Sequence, residues 1–184
     1  MMSLSLGSHP PLVARTMHRA ALRLLMSKVA ASAAEALADL SLKEAIVAVE
    51  GFGTTGLPET LVDQLSRSSH AEDLTLVALD SGPDGYGLNK VIEAGKAKKL
   101  VTSFIAESKL VRDFFFSGNI ELELVPLGTI AAQLRAAGSG IPAFYSHTGI
   151  GTLYATGGVP QRYCQGGSRK VEMMSPPRII DSFG

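Results

Sequence analysis

Cysteine is almost missing from this chain of 184 residues, which has a single thiol, Cys164, and no tryptophan. One cysteine cannot form a disulfide within the chain, and a zinc site of four thiolates is equally excluded. The sequence also has no run of about 18 consecutive apolar residues, so it predicts no membrane-spanning helix. We therefore expect no structural cross-link, no cysteine-based metal centre and no membrane partner.

Charged residues are scarce as well, because only 18% of the chain is Asp, Glu, Lys or Arg, while 46% is hydrophobic. This composition provides enough apolar side chains for a buried core and argues against disorder over most of the chain. The 17 basic residues balance 17 acidic ones. A net charge of zero argues against a nucleic-acid partner, which would favour a protein with a basic excess.

Acidic residues are absent from the first 34 positions, whereas Arg15, Arg19 and Arg23 recur at every fourth position. Residues 1–25 therefore hold three arginines and no acid, which leaves 14 basic against 17 acidic residues in the remainder. A short, acid-free segment with arginine and serine is typical of an organellar transit peptide. We predict a targeting segment here; a disordered tail ahead of a natural start at Met26 is the alternative.

The rest of the chain alternates between apolar runs rich in β-branched residues and helix-forming segments that end at glycine. Such runs are typical of strands in a parallel sheet, and their alternation with helices predicts an α/β fold with right-handed crossovers. Pro58 is expected at the first position of the second helix, and Thr129 as the N-cap of the last. The predicted strands are residues 45–49, 74–79, 100–105 and 120–125, and the predicted helices are residues 30–43, 57–68, 88–95, 109–116 and 129–137.

The sharpest local motif is the glycine loop GFGTTG, residues 51–56, which contains Gly51, Gly53, Thr54 and Gly56. Its glycines permit positive φ, and the amino terminus of the following helix directs N–H groups at an anionic or carbonyl oxygen. The spacing also matches the dinucleotide-binding fingerprint, although the acids expected about twenty residues later precede the second strand instead of ending it. A tight turn without any ligand is the remaining alternative.

Several ordered motifs resemble the A half of family I coenzyme A transferases of the succinyl-CoA:3-oxoacid type. The resembling segments cover nearly all of residues 26–184, namely 49–59 (VEGFGTTGLPE), 74–77, 86–88, 121–129, 134–145, 148–152 and 157–163. The resemblance implies an open, mostly parallel α/β sheet with helices on both faces, which ends in a glycine- and proline-rich segment of loops and short strands. Residues 26–184 are then an A domain that is expected to be incomplete at its C-terminus.

Enzymes of this family move coenzyme A between two carboxylic acids through a glutamyl-CoA thioester, a covalent intermediate. For this chain the resemblance implies transfer between succinyl-CoA and a 3-oxo acid such as acetoacetate, or acetate. The nucleophilic glutamate belongs to the family's B half, so no catalytic residue is assigned here. A B-type subunit or domain, an acyl-CoA and a small carboxylic acid are the expected partners, in an oligomer, with the CoA thioester as substrate and no separate cofactor or metal. Because eukaryotic members are mitochondrial, the matrix is the expected location.

The resemblance also implies that the glycine loop, Asp80 and Gly128 line the substrate site and supply amide groups to a developing oxyanion. Two positions depart from the family pattern: Leu127 stands where glutamine is usual, and Leu79-Asp80 replaces a pair of asparagines. Leucine donates no hydrogen bond and aspartate would repel an anion; loss of an oxyanion donor costs about 10²–10³ in rate. An inactive paralogue that binds a partner is therefore an alternative, and a dinucleotide-binding domain is a third.

Other features have a structural and a functional interpretation. A lysine cluster either contacts the phosphates of coenzyme A or forms a solvated surface; its members are Lys90, Lys96, Lys98 and Lys99. His147 lies in a loop without a nearby carboxylate in sequence. The run Phe114-Phe115-Phe116 is expected in the core with one ring exposed, and Cys164 is expected to be a free thiol without a role.

Overall fold

A computed structural model describes residues 29–178 of the chain. The predicted targeting segment, residues 1–25, lies outside the described residues, as do residues 179–184. The stretch that ends at Ala38 is one structural unit and the chain from Asp39 onward is another. In the first unit, the Ser32 hydroxyl accepts a hydrogen bond from the Glu35 N–H and caps the short helix α1 (Ala33–Leu37).

The second unit is built around a four-stranded sheet in which every pair is parallel and the order is β1-β2-β3-β4. Its elements are β1 (Ile46–Ala48), α2 (Glu59–Arg67), β2 (Leu74–Val77), α3 (Asn89–Glu93), β3 (Ala97–Thr102), α4 (Lys109–Phe116), β4 (Glu121–Leu124), α5 (Leu127–Gly138), α6 (Leu153–Thr156), β5 (Pro160–Tyr163) and β6 (Val171–Met174). Strands β5 and β6 form a separate antiparallel pair. The predicted α/β alternation, the open parallel sheet and the loop-rich final segment are confirmed.

One face of the sheet is apolar and buried. The register places Val47 beside Leu76, Leu76 beside Leu100 and Leu100 beside Leu122, and the three leucines are at most 2% exposed. Each successive strand is added on the same side of the previous one, so right-handed crossovers bring α2, α3 and α4 to a single face. Contacts of α2 with α3, and of α3 with α4, agree with this arrangement. The expectation of helices on both faces is thereby narrowed: the crossover helices share one face.

The opposite face is half-exposed and carries charge on β3 and β4. Lys99 pairs with Glu121 at 2.8 Å and with Glu123 at 2.7 Å, and Glu123 also pairs with Arg178 from beyond β6. Burial by itself raises the pKa of the Glu123 carboxyl, but hydrogen bonds and charges from Lys99 and Arg178 outweigh it, so the pKa is lowered. These ion pairs attach the end of the described chain to β4.

Two predicted elements are wrong in position because contacts distant in sequence decide them. Strand β3 is predicted from residue 100 but begins at Ala97, since Lys99 is neutralised by Glu121 on the neighbouring strand and tolerates the sheet. The first helix is predicted to reach residue 43 but ends at Leu37. Lys43 forms a parallel bridge with Glu72, which requires an extended backbone at that point.

Two predicted helix starts are also displaced. Pro58 precedes α2 as its N-cap instead of opening it, and its carbonyl accepts the N–H groups of the first turn. Thr129 is not an N-cap: α5 already begins at Leu127, and the carbonyl of Pro126 accepts the Thr129 N–H at 2.8 Å. The Thr129 side chain is buried and its hydroxyl has no hydrogen-bond partner among the described residues.

Strand β5 packs closely on the end of α4. The rings of Phe115 and Phe116 lie 5.0 and 5.4 Å from that of Tyr163, and Phe115 is buried while Phe116 is exposed, which confirms the prediction for the phenylalanine run. Gly118 follows α4 with φ +78°, and a Cβ there would lie 2.3 Å from the Tyr163 carbonyl oxygen. Glycine is needed at this position both for its backbone conformation and for the approach of β5.

We expect Gly118→Ala to destabilise the protein more than Gly95→Ala does. Both glycines have positive φ, so each alanine costs about 1–2 kcal/mol for the left-handed backbone. A Cβ at Gly95 would meet nothing within 4 Å, whereas at Gly118 it collides with backbone, which adds about 1–3 kcal/mol. Urea unfolding of both variants measures the difference, and equal losses would contradict the close approach.

A second prediction concerns acid stability. Because the folded-state pKa of Glu123 is lowered, its contribution is present above the unfolded value of about 4.3 and is lost as pH falls through the folded value. Glu123→Gln should therefore lower the urea midpoint at pH 7, and its difference from the parent should shrink below about pH 4. Glu107→Gln, at an exposed position, is the control. A difference that stays constant with pH would contradict the ion-pair explanation.

Candidate functional site

The predicted substrate-binding residues follow three of the four parallel strands at one edge of the sheet. The glycine loop follows β1, Asp80 follows β2 and Gly128 follows β4. The carboxyl edge of an open parallel sheet is where α/β proteins bind ligands. Because β1 and β4 are three strand spacings apart, about 14 Å, Gly128 lies at the opposite end of this edge from the glycine loop.

The glycine loop is a tight turn closed by its own backbone. The Phe52 N–H donates to the Thr55 carbonyl at 3.0 Å, and the Thr55 N–H donates back to Phe52 at 2.9 Å. Gly51, Gly53 and Gly56 all have positive φ, as the motif predicts. At Gly51 a Cβ would lie 2.4 Å from Cδ2 of Leu57, so a larger residue would displace the start of the following segment.

Asp80 joins the glycine loop to the loop after β2, residues 80–88, here called the second loop. The side chain is 7% exposed; Oδ2 accepts a hydrogen bond from the Gly53 N–H at 2.9 Å, and Oδ1 accepts one from the Gly82 N–H at 2.7 Å. A Cβ at Gly82 would lie 3.3 Å from the Gly53 carbonyl oxygen, so the two loops are in close contact. Each carboxylate oxygen is thus engaged with backbone.

Asn89 supports the second loop from within the core, and no motif in the sequence marked it. It is fully buried at the start of α3, and its Nδ2 donates to the carbonyl oxygens of Ser81 and Gly82, both at 2.7 Å. Its Oδ1 accepts a hydrogen bond from the Ser108 hydroxyl at 2.6 Å. The available signal was a polar residue among the inward-facing apolar residues of a short helix.

Glu59 and Lys90 connect the second loop to α2. Glu59, expected to be solvated or capping, accepts a hydrogen bond from the Gly87 N–H at 2.9 Å and pairs with Lys90 at 2.6 Å. Lys90 also pairs with Asp63 at 2.7 Å, and hydrogen bonds to Asp63 and Glu59 raise the pKa of Lys90. With two carboxylates bound, Lys90 is neither a solvated cation nor a free one for phosphate.

Asp84 connects the outer part of the second loop to α4. Its Oδ1 accepts a hydrogen bond from the Leu110 N–H at 3.0 Å and lies 3.0 Å from the Ser108 hydroxyl oxygen. The Leu110 N–H, together with the Ser108 hydroxyl, holds the pKa of the Asp84 carboxyl below its usual value. Three helices therefore position the second loop, and Asp80 extends that support to the glycine loop.

The other members of the lysine cluster lie away from this edge. Strand β3 has six residues and begins at Ala97, so Lys96 and Lys98 are at its amino end, about 13–16 Å from the carboxyl edge. Lys99 is engaged with Glu121 and Glu123 on β4. The structure therefore brings none of these three lysines to the glycine loop.

The first turn of α5 begins directly after β4. Leu127 is 48% exposed, and a Cβ at Gly128 would meet nothing within 4 Å, so both positions are accessible. N–H groups in the first turn of a helix, together with its dipole, stabilise negative charge. As the sequence indicates, the Leu127 side chain adds no donor.

A wide groove of about 990 Å³ lies beside α5. One wall is the helix face formed by Thr129, Gln133, Ala136 and Ala137; the segment 141–156, with exposed His147, forms another. Arg178 contributes to the lining, donates to the Tyr154 hydroxyl at 3.2 Å and stacks over its ring. The groove is lined by neither the glycine loop nor Asp80.

Metal and membrane sites were sought over residues 29–178. No group of three His, Cys, Asp or Glu side chains in this range is placed to hold a metal ion. Each helix in the same range is too short or too polar to cross a membrane. Cys164 is a half-buried free thiol.

The family model for coenzyme A transferase matches residues 30–180. The chain belongs to the coenzyme A transferase family. It is 42% identical over 158 residues to the A-type subunit of a probable succinyl-CoA:3-ketoacid coenzyme A transferase of Mycobacterium tuberculosis, covering 86% of this chain and 62% of that protein. It is 38% identical over 159 residues to the human mitochondrial succinyl-CoA:3-ketoacid coenzyme A transferase 2, covering 86% of this chain and 30% of that one.

Solved structures of coenzyme A transferases share the fold. An acyl-CoA transferase from Escherichia coli O157:H7, crystallised as a thioester complex with CoA, matches with a TM-score of 0.57 and 25% sequence identity. The match covers 66% of this transferase chain and 25% of the E. coli protein. The chain thus spans under two thirds of the length of the relatives it matches.

Proposed function

We propose that this chain acts as the A part of a coenzyme A transferase that moves CoA between succinyl-CoA and a 3-oxo acid such as acetoacetate. The observation that carries the proposal is the 42% identity, over 86% of the chain, to the A-type subunit of a transferase with that name. A relative that is one kind of subunit supports a B-type partner, in an oligomer that contains both parts. The proposed substrates are an acyl-CoA and a small carboxylic acid.

In the proposed reaction, a glutamate carboxylate of the B part attacks the thioester carbonyl of succinyl-CoA. Succinate leaves and the glutamate becomes a glutamyl-CoA thioester; acetoacetate then takes the CoA and regenerates the carboxylate. One carboxylate is consumed and one is released in each half, so no net proton, oxidant or reductant is required. Each attack places negative charge on a carbonyl oxygen, which preorganised N–H groups stabilise.

The acids of this chain fit a supporting role better than a nucleophilic one. Glu59 is engaged with Lys90 and the Gly87 N–H, and Asp80 with two backbone N–H groups. Glu50 and Glu107 are exposed. We therefore assign the chain the amide groups of the glycine loop and of the first turn of α5, and we leave the nucleophile to the partner.

A reconstitution experiment tests this function. The purified chain and a B-type subunit from a related bacterial enzyme are assayed separately and together with succinyl-CoA and acetoacetate. We expect acetoacetyl-CoA to form only in the mixture, because donors and nucleophile come from different parts. Intact-mass analysis of the mixture with succinyl-CoA should find the CoA adduct on the B-type protein. A stable complex that exchanges no CoA with acetoacetate or acetate would overturn the proposal.

We also propose that the protein is located in mitochondria. Human, rat and mouse relatives are named as mitochondrial, and residues 1–25 hold three arginines and no acid. Bacterial relatives are equally similar, so the support comes from these two observations together.

Localisation can be measured with residues 1–25 fused to a fluorescent protein. The fusion should accumulate in mitochondria of eukaryotic cells, because a cationic amphipathic segment without acids is typical of an import signal. The matched control replaces Arg15, Arg19 and Arg23 with alanine and should remain in the cytosol. Identical distributions of the two fusions would contradict the prediction.

A further inference from the structure

Asp80 is a buried carboxylate that has no cationic partner. Its side chain is 7% exposed, and none of the ion pairs within residues 29–178 includes it. Its charge is instead directed at two backbone N–H groups, on Gly53 and Gly82, one to each oxygen. A carboxylate in this geometry is held by charge-assisted hydrogen bonds, which are stronger than neutral ones.

Only an ionised carboxylate can accept both hydrogen bonds on separate oxygens. An asparagine at this position has one acceptor oxygen and an NH₂ group that donates. One of the two glycine N–H groups would then face another donor and lose its partner. The residue type that departs from the family pattern is thus the one that this pair of N–H groups requires.

The same contact decides which N–H groups the glycine loop has to offer. The N–H groups of Phe52 and Thr55 bond across the turn, and that of Gly53 bonds to Asp80. Within the described residues, the Thr54 and Gly56 N–H groups are left without a partner. Both residues are exposed, so a ligand at the carboxyl edge can reach the turn there.

We propose that Asp80 is a positioning residue for coenzyme A transfer, which pins the Gly53 N–H and thereby presents the Thr54 and Gly56 N–H groups to the reacting carbonyl oxygen. The inference rests on the proposed transfer function. It replaces the expectation that Asp80 faces the substrate and repels it, since both carboxylate oxygens are bonded to backbone.

The two interpretations predict opposite results for Asp80→Asn. If Asp80 repels the substrate, removing its charge raises kcat/KM. If it positions the loop, the lost hydrogen bond lets the donors move, and kcat falls about 10–100-fold in the mixture with the B-type protein. KM for succinyl-CoA should change less than about twofold, because the donors act mainly on charge that develops during the reaction.

Asp84→Asn is the matched control in the same loop. It removes the same charge, but both hydrogen-bond contacts of Asp84 involve the single oxygen Oδ1, which an amide oxygen can replace. Its kcat and KM should stay close to those of the parent. An equal fall in kcat for both variants would show an effect of charge on the loop and would overturn the positioning role.

Amide hydrogen exchange tests the contact without any activity. In the isolated full chain, the Gly53 and Gly82 amides should exchange faster in Asp80→Asn than in the parent, and at the parent rate in Asp84→Asn. Unchanged exchange at Gly53 in Asp80→Asn would overturn the proposal. If the parent mixture transfers no CoA, the proposed function fails; faster Gly53 exchange would still show that Asp80 pins the loop, but its role in transfer would fall with the function.

A second variant covers the case in which Asp80→Asn does not fold. Gly82→Ala keeps the carboxylate but places a Cβ 3.3 Å from the Gly53 carbonyl oxygen, which pushes the two loops apart. Its kcat should fall while KM for succinyl-CoA stays within about twofold of the parent. A kcat equal to that of the parent would contradict the inference.

Discussion

Val47, Leu76, Leu100 and Leu122 stand side by side in register across the four parallel strands, and the positions of the loops depend on that row. Side chains alternate between the faces of a strand, so a slip of one residue would turn a leucine toward the half-exposed face. Burial of the row therefore holds all four strands in one register. The chain segments that leave the carboxyl ends, from the glycine loop to the start of α5, emerge in the same order as the strands.

Polar contacts then determine the shape of the chain at this edge. Buried backbone groups outside strands and helices need partners, and in the second loop side chains supply them. Asn89 satisfies carbonyl groups, whereas Glu59 and Asp80 accept from N–H groups. Because these side chains sit on different elements, the packing of the helices on the sheet and the conformation of the glycine loop depend on each other.

The sequence predicted what depends on short stretches of chain and missed what depends on distant pairs. The α/β alternation and the positive φ values of the glycine loop follow from local composition, and both are present in the structure. Strand β3 was displaced because Lys99 is neutralised on another strand by Glu121, a contact that the run of lysines does not reveal. Asp80 was assigned to the site from the resemblance, but its partner Gly53 lies 27 residues away, so its hydrogen bonds were not predictable.

The strand order also has a consequence for the way the protein is made. Every strand of the main sheet pairs with the strand that precedes it in the chain, so none has to wait for a later segment. The sheet can grow as the chain is synthesised, one strand and one helix at a time, with mostly short-range closures. The contact between Glu123 and Arg178, 55 residues apart, closes after β4 is already in place.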